Sequence, residues 1–468
     1  MTNVVIIGGG PGGIAAAMSA RRLGADVTLI ERNGVGGSAV LTDVVPSKAL
    51  VSAGQAVGRF CEAASVGLRL RSDAGALAAP IDFHAVTTTV RDLALAQSRD
   101  TTAAVSAAGV RLVSGHGRLD GRGRVVAETE TGEQTFDADM VLIATGGRPR
   151  VLDTAKPDGE RILSWAQVYQ LSELPEHLVI VGSGVTGAEF SSAFRSFGSE
   201  VTLVSARDEI LPGQDPDAAR VIHDVFEGQG IQVLDNAHAE TVTRSADGIE
   251  VTLKDGRVIA GSHCLVAVGA VPNTEDLGLE TCGVEVTPSG HIKIDGVSRT
   301  TSLGVYAAGD CADGMKLASA ASLQGRIATR HALGHTVGPL RPRSVASGIY
   351  TTPEVATVGI GAADITSGAI SARSVMVPLA SNARTKMKDF DGGFIKLFCL
   401  PATHIIVGGV VVSMFATELI HSVSLAVKNR LTVEQMAETP AVYPSLSGSI
   451  AEAAELLRGH VGEEVVLY

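Results

Sequence analysis

The chain has 468 residues, a formal net charge of −12, a pI of about 5.5 and a mean hydropathy of +0.25, so it can bury a large core divided among about three domains. Aromatic residues make up only 4% and no basic cluster alternates with them, so a nucleic-acid partner is not expected. None of the five cysteines form a CxxC pair, which argues against a zinc or other metal site.

The first predicted elements are a strand, a glycine-rich turn and a helix at the N-terminus. The apolar run Val4–Ile7 leads into Gly8, Gly10 and Gly13, which have the G-x-G-x-x-G spacing. Such a turn lets the backbone approach a pyrophosphate at a helix N-terminus. The next predicted strand ends in Glu31, whose carboxylate suits ribose hydroxyls. The sequence therefore predicts a dinucleotide site here.

A second copy of the same pattern begins near residue 178. The apolar run Leu178–Val181 precedes Gly182, Gly184 and Gly187 at the same spacing. Two copies of strand, glycines, helix and strand are a far more specific pattern than one isolated glycine motif. They predict two dinucleotides and electron transfer between them.

The second copy differs from the first at the ribose position. The strand Val201–Val204 is followed by Ser205 and, two residues later, Arg207, so the carboxylate is missing and a cation is near. This combination favours a 2′-phosphate, hence NADPH, with NADH still possible. The alternative is that Arg207 is only a solvated loop residue.

Each half closes on an apolar strand that runs into small residues. Met140–Ile143 leads to Thr145 and Gly146, and Cys264–Val268 leads to Gly269. The later strand Val305–Ala307, which precedes Asp310, and the Ala-rich helix Leu317–Leu333 are predicted to return to the first domain.

The pattern of predicted strands and helices changes near residue 344. Val345–Val358, Gly393–Leu400 and Ile405–Val412 are predicted as antiparallel strands, and Thr417–Arg430 and Ser447–Leu457 as helices. The predicted fold is α/β, with two Rossmann-like dinucleotide-binding domains and a C-terminal α+β domain. The predicted boundaries are 1–152 with 273–343, then 153–272, then 344–468.

The hydropathy pattern does not predict a membrane protein. The longest apolar run outside the N-terminus, Ile405–Ala416, is too short to span a bilayer and contains Gly408 and Gly409. The N-terminal apolar run lacks a leading positive region, unlike a signal peptide. With scattered cysteines as well, we expect a cytoplasmic protein without membrane insertion.

At this point the chain resembles the flavoprotein disulfide reductases, the class I pyridine nucleotide-disulfide oxidoreductases. The resemblance covers essentially the whole chain and rests on GGGPGG, GVGG…VPSKAL, VLIATGGRP, VGSGVTGAEF, VGAVPNT, VYAAGDC, LASAASLQG, YTTPEVATVG and VYPSLSG. It implies FAD in the first domain, NAD(P)H in the second, and a third domain that forms a homodimer and lends residues to the partner's active site. The implied FAD residues are Gly8, Gly10, Gly13, Glu31, Gly37, Lys48, Thr145, Gly146 and Asp310. The implied NAD(P) residues are Gly182, Gly184, Gly187, Ser205, Arg207 and Gly269.

The residues that the resemblance assigns to thiol–disulfide exchange are missing. Ala39 and Val44 stand where the family has its two redox cysteines. Tyr443 replaces the C-terminal acid–base histidine, and Gly448 replaces the glutamate that orients it. Because these losses concern one chemistry, they indicate a changed reaction. A decayed pseudoenzyme is the alternative.

The residues that the resemblance assigns to the flavin are retained. Lys48 and Glu189 match the ion pair beside the flavin N5 and the nicotinamide, where Lys48 would polarise N5. Asp310 matches the acid that hydrogen-bonds the ribityl chain. Tyr443 of the partner subunit either donates a proton or merely fills the former thiol pocket.

The sequence therefore predicts hydride transfer from NAD(P)H through FAD directly to a quinone. A pocket lined by Ala39, Val44 and a tyrosine suits a flat, mostly apolar oxidant, and several stretches resemble the lipoamide-dehydrogenase-like quinone reductases of the family. Pyridine-nucleotide transhydrogenation and a non-catalytic, redox-responsive flavoprotein that binds a partner stay open, although the retained Lys48 and Glu189 argue against the latter. Lipoamide dehydrogenase activity is excluded because Ala39 and Val44 carry no electrons.

Overall fold

The computed structural model describes residues 2–61, 81–387, 390, 392–459 and 464–466. Its first sheet has five parallel strands, which lie in the order Val305–Ala307, Met140–Ile143, Asn3–Ile7, Asp26–Glu31 and Arg111–Ser114. The edge strand Val305–Ala307 comes from much later in the chain than the other four. A three-stranded antiparallel sheet, β4-β5-β6, lies beside the first sheet. The N-terminal elements are β1 (Asn3–Ile7), α1 (Pro11–Arg22), β2 (Asp26–Glu31), α2 (Gly37–Leu41), α3 (Val44–Cys61), α4 (Phe83–Ala107), β3 (Arg111–Ser114), β4 (His116–Leu119), β5 (Arg124–Thr129), β6 (Gly132–Asp137), β7 (Met140–Ile143) and β8 (Gly147–Pro149).

The second sheet repeats this plan, with five parallel strands in the order β12-β11-β10-β16-β9 and an antiparallel sheet, β13-β14-β15. Strand β17 pairs with β8 and so connects the two regions. The elements are β9 (Ile162–Ser164), a 3₁₀ turn (Val168–Gln170), β10 (His177–Val181), α5 (Val185–Phe197), β11 (Glu200–Val204), α6 (Pro216–Gly228), β12 (Gln232–Leu234), β13 (Ala239–Arg244), β14 (Ile249–Leu253), β15 (Val258–Gly261), β16 (His263–Val266) and β17 (Ala270–Pro272).

The chain then returns to the first sheet through β18 before it forms the third, mostly antiparallel sheet, β19-β20-β23-β22-β21-β24. The predicted strand Val345–Val358 is two strands, because the segment between them turns back on itself. The elements are α7 (Leu279–Cys282), β18 (Val305–Ala307), α8 (Ala318–Ala332), a 3₁₀ turn (Pro342–Ser344), β19 (Ser347–Ile349), β20 (Glu354–Gly359), α9 (Ala362–Thr366), β21 (Arg373–Pro378), α10 (Ala383–Lys386), β22 (Phe394–Cys399), β23 (Ile406–Ser413), α11 (Ala416–Asn429), α12 (Val433–Ala437), α13 (Ser447–Gly459) and β24 (Glu464–Val466). The predicted fold class is confirmed.

One apolar cluster connects helices α3 and α5 with the second and third sheets. It includes Leu50 of α3, Phe194 of α5 and Phe398 of β22, all almost completely buried. Helices α3 and α5 pack closely where Gly54 faces Ala193, since a Cβ on Gly54 would lie only 3.2 Å from the Ala193 carbonyl oxygen. This close packing fixes the position of α3 relative to α5.

A buried ion cluster joins the second and third regions. The Lys396 ammonium on β22 donates to both carboxylate oxygens of Asp215 at 3.1 Å and to Asp217 Oδ2 at 2.5 Å. Asp215 also accepts backbone N–H groups at the start of α6. Burial opposes ionisation of Asp217, but the hydrogen bond and charge of Lys396 hold its pKa below the usual range. The cluster thus connects α6 to the third sheet through charged hydrogen bonds.

No helix in the part of the chain described is long and apolar enough to cross a membrane.

Candidate active site

The first glycine turn has the geometry that its sequence predicts. Gly8 has φ +106°, and a Cβ there would lie 2.3 Å from the Ala144 carbonyl oxygen. A Cβ on Gly13 would lie 2.0 Å from the Gly8 carbonyl oxygen, whereas nothing lies within 4 Å of the Cβ position of Gly10. Any side chain at Gly8 or Gly13 would clash with backbone, whereas Gly10 faces open space at the start of α1.

A cavity of about 590 Å³ opens in front of this turn. Its wall follows the carboxyl ends of β1, β2, β7 and β18, as expected for a doubly wound sheet. The predicted residues Gly8, Gly10, Glu31, Gly37, Thr145, Gly146 and Asp310 all line it, together with Ala39, Asp43, Val44 and Lys316. The structure therefore brings most of the residues of the first predicted site into one cavity.

Three of these residues have well-defined environments. Glu31 accepts the Gly9 N–H at 2.6 Å, which holds its carboxylate beside the glycine turn. The Thr145 hydroxyl donates to the Asn273 carbonyl oxygen at 2.6 Å and so joins the loops after β7 and β17. Burial raises the pKa of Asp310, and its carboxylate has no hydrogen-bond partner among the described residues. Asp310 is therefore an open acceptor in the wall.

The predicted ion pair forms across the α3–α5 contact. Lys48 Nζ donates to Glu189 Oε2 at 2.6 Å, and the Tyr350 N–H donates to Glu189 Oε1 at 2.9 Å. The Lys48 ammonium also lies 5.1 Å from the centre of the Tyr350 ring. Glu189 is 2% exposed, so its charge depends on these partners. Tyr350 was not predicted, although it opens the family motif YTTPEVATVG.

No thiol lies where the redox pair of the family would be. Ala39 of α2 and Val44, which begins α3, both line the cavity. Cys264, Cys282, Cys311 and Cys399, the cysteines whose side chains the structure describes, are free and buried, and none of them lines the cavity. Burial raises the pKa of the Cys264 thiol to about 12 and that of Cys399 to about 11.

Asp43 is the feature of this wall that the sequence analysis missed. It precedes Val44 in the turn between α2 and α3 and lines the cavity. Burial raises the pKa of Asp43, Lys48 lowers it, and nearby Asp310 and Glu189 raise it; together they give a pKa of about 6. The sequence signal that could have identified Asp43 is its place directly before Val44, where the family has its second redox cysteine.

The second glycine turn reproduces the first. Gly182 has φ +112°, and a Cβ there would lie 2.4 Å from the Ala267 carbonyl oxygen. A Cβ on Gly187 would lie 1.8 Å from the Gly182 carbonyl oxygen, whereas the Cβ position of Gly184 faces open space where α5 begins. Gly269 (φ +92°) follows β16, and its carbonyl oxygen accepts the Arg150 N–H.

Ser205 and Arg207 have different environments after β11. Ser205 is fully buried, and its hydroxyl lies 2.7 Å from the Ser183 hydroxyl and accepts the Arg207 N–H at 3.2 Å. The Arg207 side chain is exposed and makes no ion pair with another described residue. The hydroxyl therefore shapes the loop, while the guanidinium is free to meet a ligand.

Tyr443 is 87% exposed, and the preceding residue, Val442, is 79% exposed. Both belong to the loop before α13, whose first turn contains Gly448. Within one chain the structure does not bring Tyr443 into contact with Lys48 or Glu189.

Comparison with known proteins supports the family resemblance. Residues 2–325 match the pyridine nucleotide-disulphide oxidoreductases, and residues 345–454 match the dimerisation domain of that family. The chain is 45% identical over 470 residues to the NAD(P)H dehydrogenase (quinone) of Mycobacterium tuberculosis, covering 98% of this chain and 94% of that protein. It is 32% identical over 466 residues to dihydrolipoyl dehydrogenase 2 of Haloarcula marismortui, covering 98% and 97%.

A solved structure gives the same result. The crystal structure of LpdA from Mycobacterium tuberculosis has a TM-score of 0.93 and 45% sequence identity, and the match covers 98% of this chain and all of that one. The family is FAD- and NAD(P)-dependent. The resemblance drawn from the motifs is confirmed: the chain is a member of the pyridine nucleotide-disulphide oxidoreductase family.

Proposed function

We propose that this protein is an FAD-dependent oxidoreductase that passes a hydride from NAD(P)H to a quinone without a redox disulfide. The overall reaction is NAD(P)H + H⁺ + quinone → NAD(P)⁺ + hydroquinone. The observation that carries the proposal is the combination of a complete Lys48–Glu189 pair with sulfur-free residues, Ala39 and Val44, in the cavity wall. The name of the 45% identical mycobacterial relative supports the same acceptor class.

The chain's own residues fit FAD in the first cavity. Open space at Gly10 and Gly146 leaves room for a ligand against the backbone, and the start of α1 favours a pyrophosphate. Glu31 would hold the adenosine ribose and Asp310 the ribityl chain, since its carboxylate is an open acceptor. Gly37, whose Cβ would lie 2.9 Å from the Gly10 Cα, keeps α2 close to the turn. When bound, FAD accepts hydride from the nicotinamide and delivers it to the acceptor.

Lys48 and Glu189 would hold a fixed charge beside the reacting rings. Glu189 is anchored by the Tyr350 N–H, so its carboxylate can hold the Lys48 ammonium in one place. A positive charge fixed in advance stabilises negative charge that develops during hydride transfer. The two residues are therefore proposed as catalytic, and Ala39 and Val44 as the apolar surface for the quinone.

The second glycine turn would bind NADPH. Gly184 leaves open space at the start of α5, where a pyrophosphate would be stabilised by the helix N-terminus. The unpaired Arg207 guanidinium would bind the 2′-phosphate, and buried Ser205 would position that loop. Gly269 lies in the loop after β16, at the carboxyl edge of the same sheet. NADPH is the proposed donor, with NADH as a weaker one.

We assign FAD binding to residues 1–152 and 273–343, NADPH binding to 153–272, and dimer formation to 344–468. The match to the family's dimerisation domain supports a homodimer. Tyr443, exposed in one chain, would then complete the active site of the other chain as a proton donor or as packing. The predicted cytoplasmic location also stays a proposal.

The test is steady-state oxidation of NADPH and NADH with a naphthoquinone, lipoamide or thio-NAD⁺ as acceptor. We expect fast quinone reduction, no lipoamide reduction, and faster turnover with NADPH. Lys48→Met should slow flavin reduction by NADPH about 10²-fold. Lys156→Met is the matched control, because Lys156 forms an exposed surface pair with Asp153. Turnover confined to thio-NAD⁺ would instead establish a transhydrogenase, and turnover of lipoamide would refute the disulfide-free route.

A further inference from the structure

Asp43 is a carboxylic acid in the cavity wall with no assigned role. Its backbone is held in place, because its carbonyl oxygen accepts the Ser47 N–H at 2.9 Å and the Tyr169 hydroxyl at 3.4 Å. Its side chain lines the cavity and makes no hydrogen bond or ion pair with any residue the structure describes. The backbone contacts thus place a free carboxyl group next to Val44.

The titratable groups around Asp43 come from four other elements. Lys48 lies on α3, Glu189 on α5, Asp310 after β18, and the Tyr169 hydroxyl in the 3₁₀ turn after β9. Burial and the two carboxylates favour the protonated form of Asp43, and only Lys48 opposes them; the pKa of Asp43 is about 6. Such a group exchanges its proton near neutral pH, where general acids are most effective.

Quinone reduction needs such a group. Hydroquinone differs from quinone by two electrons and two protons, so a hydride must be accompanied by one proton. The residues that the family uses for proton transfer to thiols are absent here, and Tyr443 is 87% exposed in the single chain. Asp43 lines the same cavity and directly precedes Val44, one of the two residues proposed as the surface for the quinone.

We propose that Asp43 is a catalytic acid that protonates the quinone oxygen as the quinone receives hydride. The Asp43 O–H bond breaks, an O–H bond forms on the quinone, and the carboxylate regains its proton from water before the next turnover. The assignment rests on the proposed quinone reduction.

The experiment compares the wild-type holoenzyme with Asp43→Asn and Asp43→Glu, and uses Asp153→Asn as a control because Asp153 is an exposed carboxylate. In wild type, the rate constant for reoxidation by quinone should fall by up to tenfold per pH unit above pH about 6, as the acid is lost. Asp43→Asn should be slower by about 10²-fold and nearly independent of pH. Asp43→Glu should restore the pH dependence, and reduction by NADPH should be unchanged in every variant.

A second readout does not depend on turnover. In wild type, the infrared band of a protonated carboxyl should titrate with a midpoint near pH 6, and Asp43→Asn should lack it. A missing titration in wild type, or an Asp43→Asn enzyme with the wild-type rate and pH profile, would overturn the role of Asp43. The assignment would also be overturned if Tyr443→Phe, and not Asp43→Asn, showed the slower rate and the loss of pH dependence.

The acceptor separates the two proposals. Ferricyanide takes single electrons and no proton, so Asp43→Asn should reduce it at the wild-type rate while quinone reduction falls about 10²-fold. If wild-type enzyme reduces ferricyanide but no quinone, the proposed function fails. If wild type reduces quinone and Asp43→Asn does so equally well, only the Asp43 assignment fails.

Discussion

Removing the Lys48 ammonium should destabilise the protein, because the buried Glu189 carboxylate is then left without its cation. The two charges are 2.6 Å apart, and Coulomb's law with an effective dielectric constant of about 20 gives an attraction of about 6 kcal/mol. Much of this is offset by lost hydration, and the Lys48 side chain is 26% exposed. We therefore expect Lys48→Met to lower the unfolding free energy by about 3 kcal/mol, the low end for breaking a buried pair.

A double-mutant cycle isolates that effect. Glu189→Gln keeps an acceptor for the Tyr350 N–H, so the Lys48→Met/Glu189→Gln variant leaves no unpaired charge at this position. It should recover about 2 kcal/mol of the loss, measured by urea unfolding with excess FAD. A double variant whose loss equals the sum of the two single-variant losses would refute the pairing argument.

Three further variants address other parts of the molecule. Arg207→Ala should raise the KM for NADPH about tenfold with little effect on NADH, because a charge-assisted phosphate contact is worth about 1.5–3 kcal/mol; equal changes for both nucleotides would clear Arg207 of that role. Gly187→Ala would place a Cβ 1.8 Å from the Gly182 carbonyl oxygen. It should abolish nucleotide binding in calorimetry while bound flavin absorbance stays at about one per chain; intact binding would show that the turn can relax. Lys396→Met leaves Asp215 buried without its cation and should cost about 3–5 kcal/mol in urea unfolding. A loss below about 1 kcal/mol would mean that water reaches the cluster.

The sequence predicted those parts of the fold that local patterns encode. Gly13 and Gly187 were predictable because helix and strand can approach so closely only without a Cβ, and that need appears as a fixed spacing. The Lys48–Glu189 pair could be predicted only from the family motifs, because no local sequence pattern relates residues that are 141 positions apart. The Lys396 cluster was missed for the same reason: its partners Asp215 and Asp217 lie at the start of α6, about 180 positions earlier in the chain.

Side-chain environment was the other limit. Ser205 was expected to contact the nucleotide, but the sequence could not show that its hydroxyl is buried against Ser183. Asp43 was passed over because the same residue in an exposed loop would be unremarkable; its significance comes from burial and from the charges that surround it. Such properties arise only when distant elements pack together.

The burial of the four cysteines whose side chains the structure describes has a consequence for how the protein withstands chemical attack. Alkylating agents, arsenicals and hypochlorous acid react with accessible thiolates, and a relative that relies on an exposed dithiol is inactivated by them. Here Cys264 and Cys311 are fully buried, burial raises both of their pKa values, and Ala39 and Val44 offer these reagents nothing to modify. Electron transfer along this route should therefore continue under oxidative or electrophilic stress that disables a dithiol enzyme, and iodoacetamide should leave turnover intact at concentrations that inactivate dihydrolipoyl dehydrogenase.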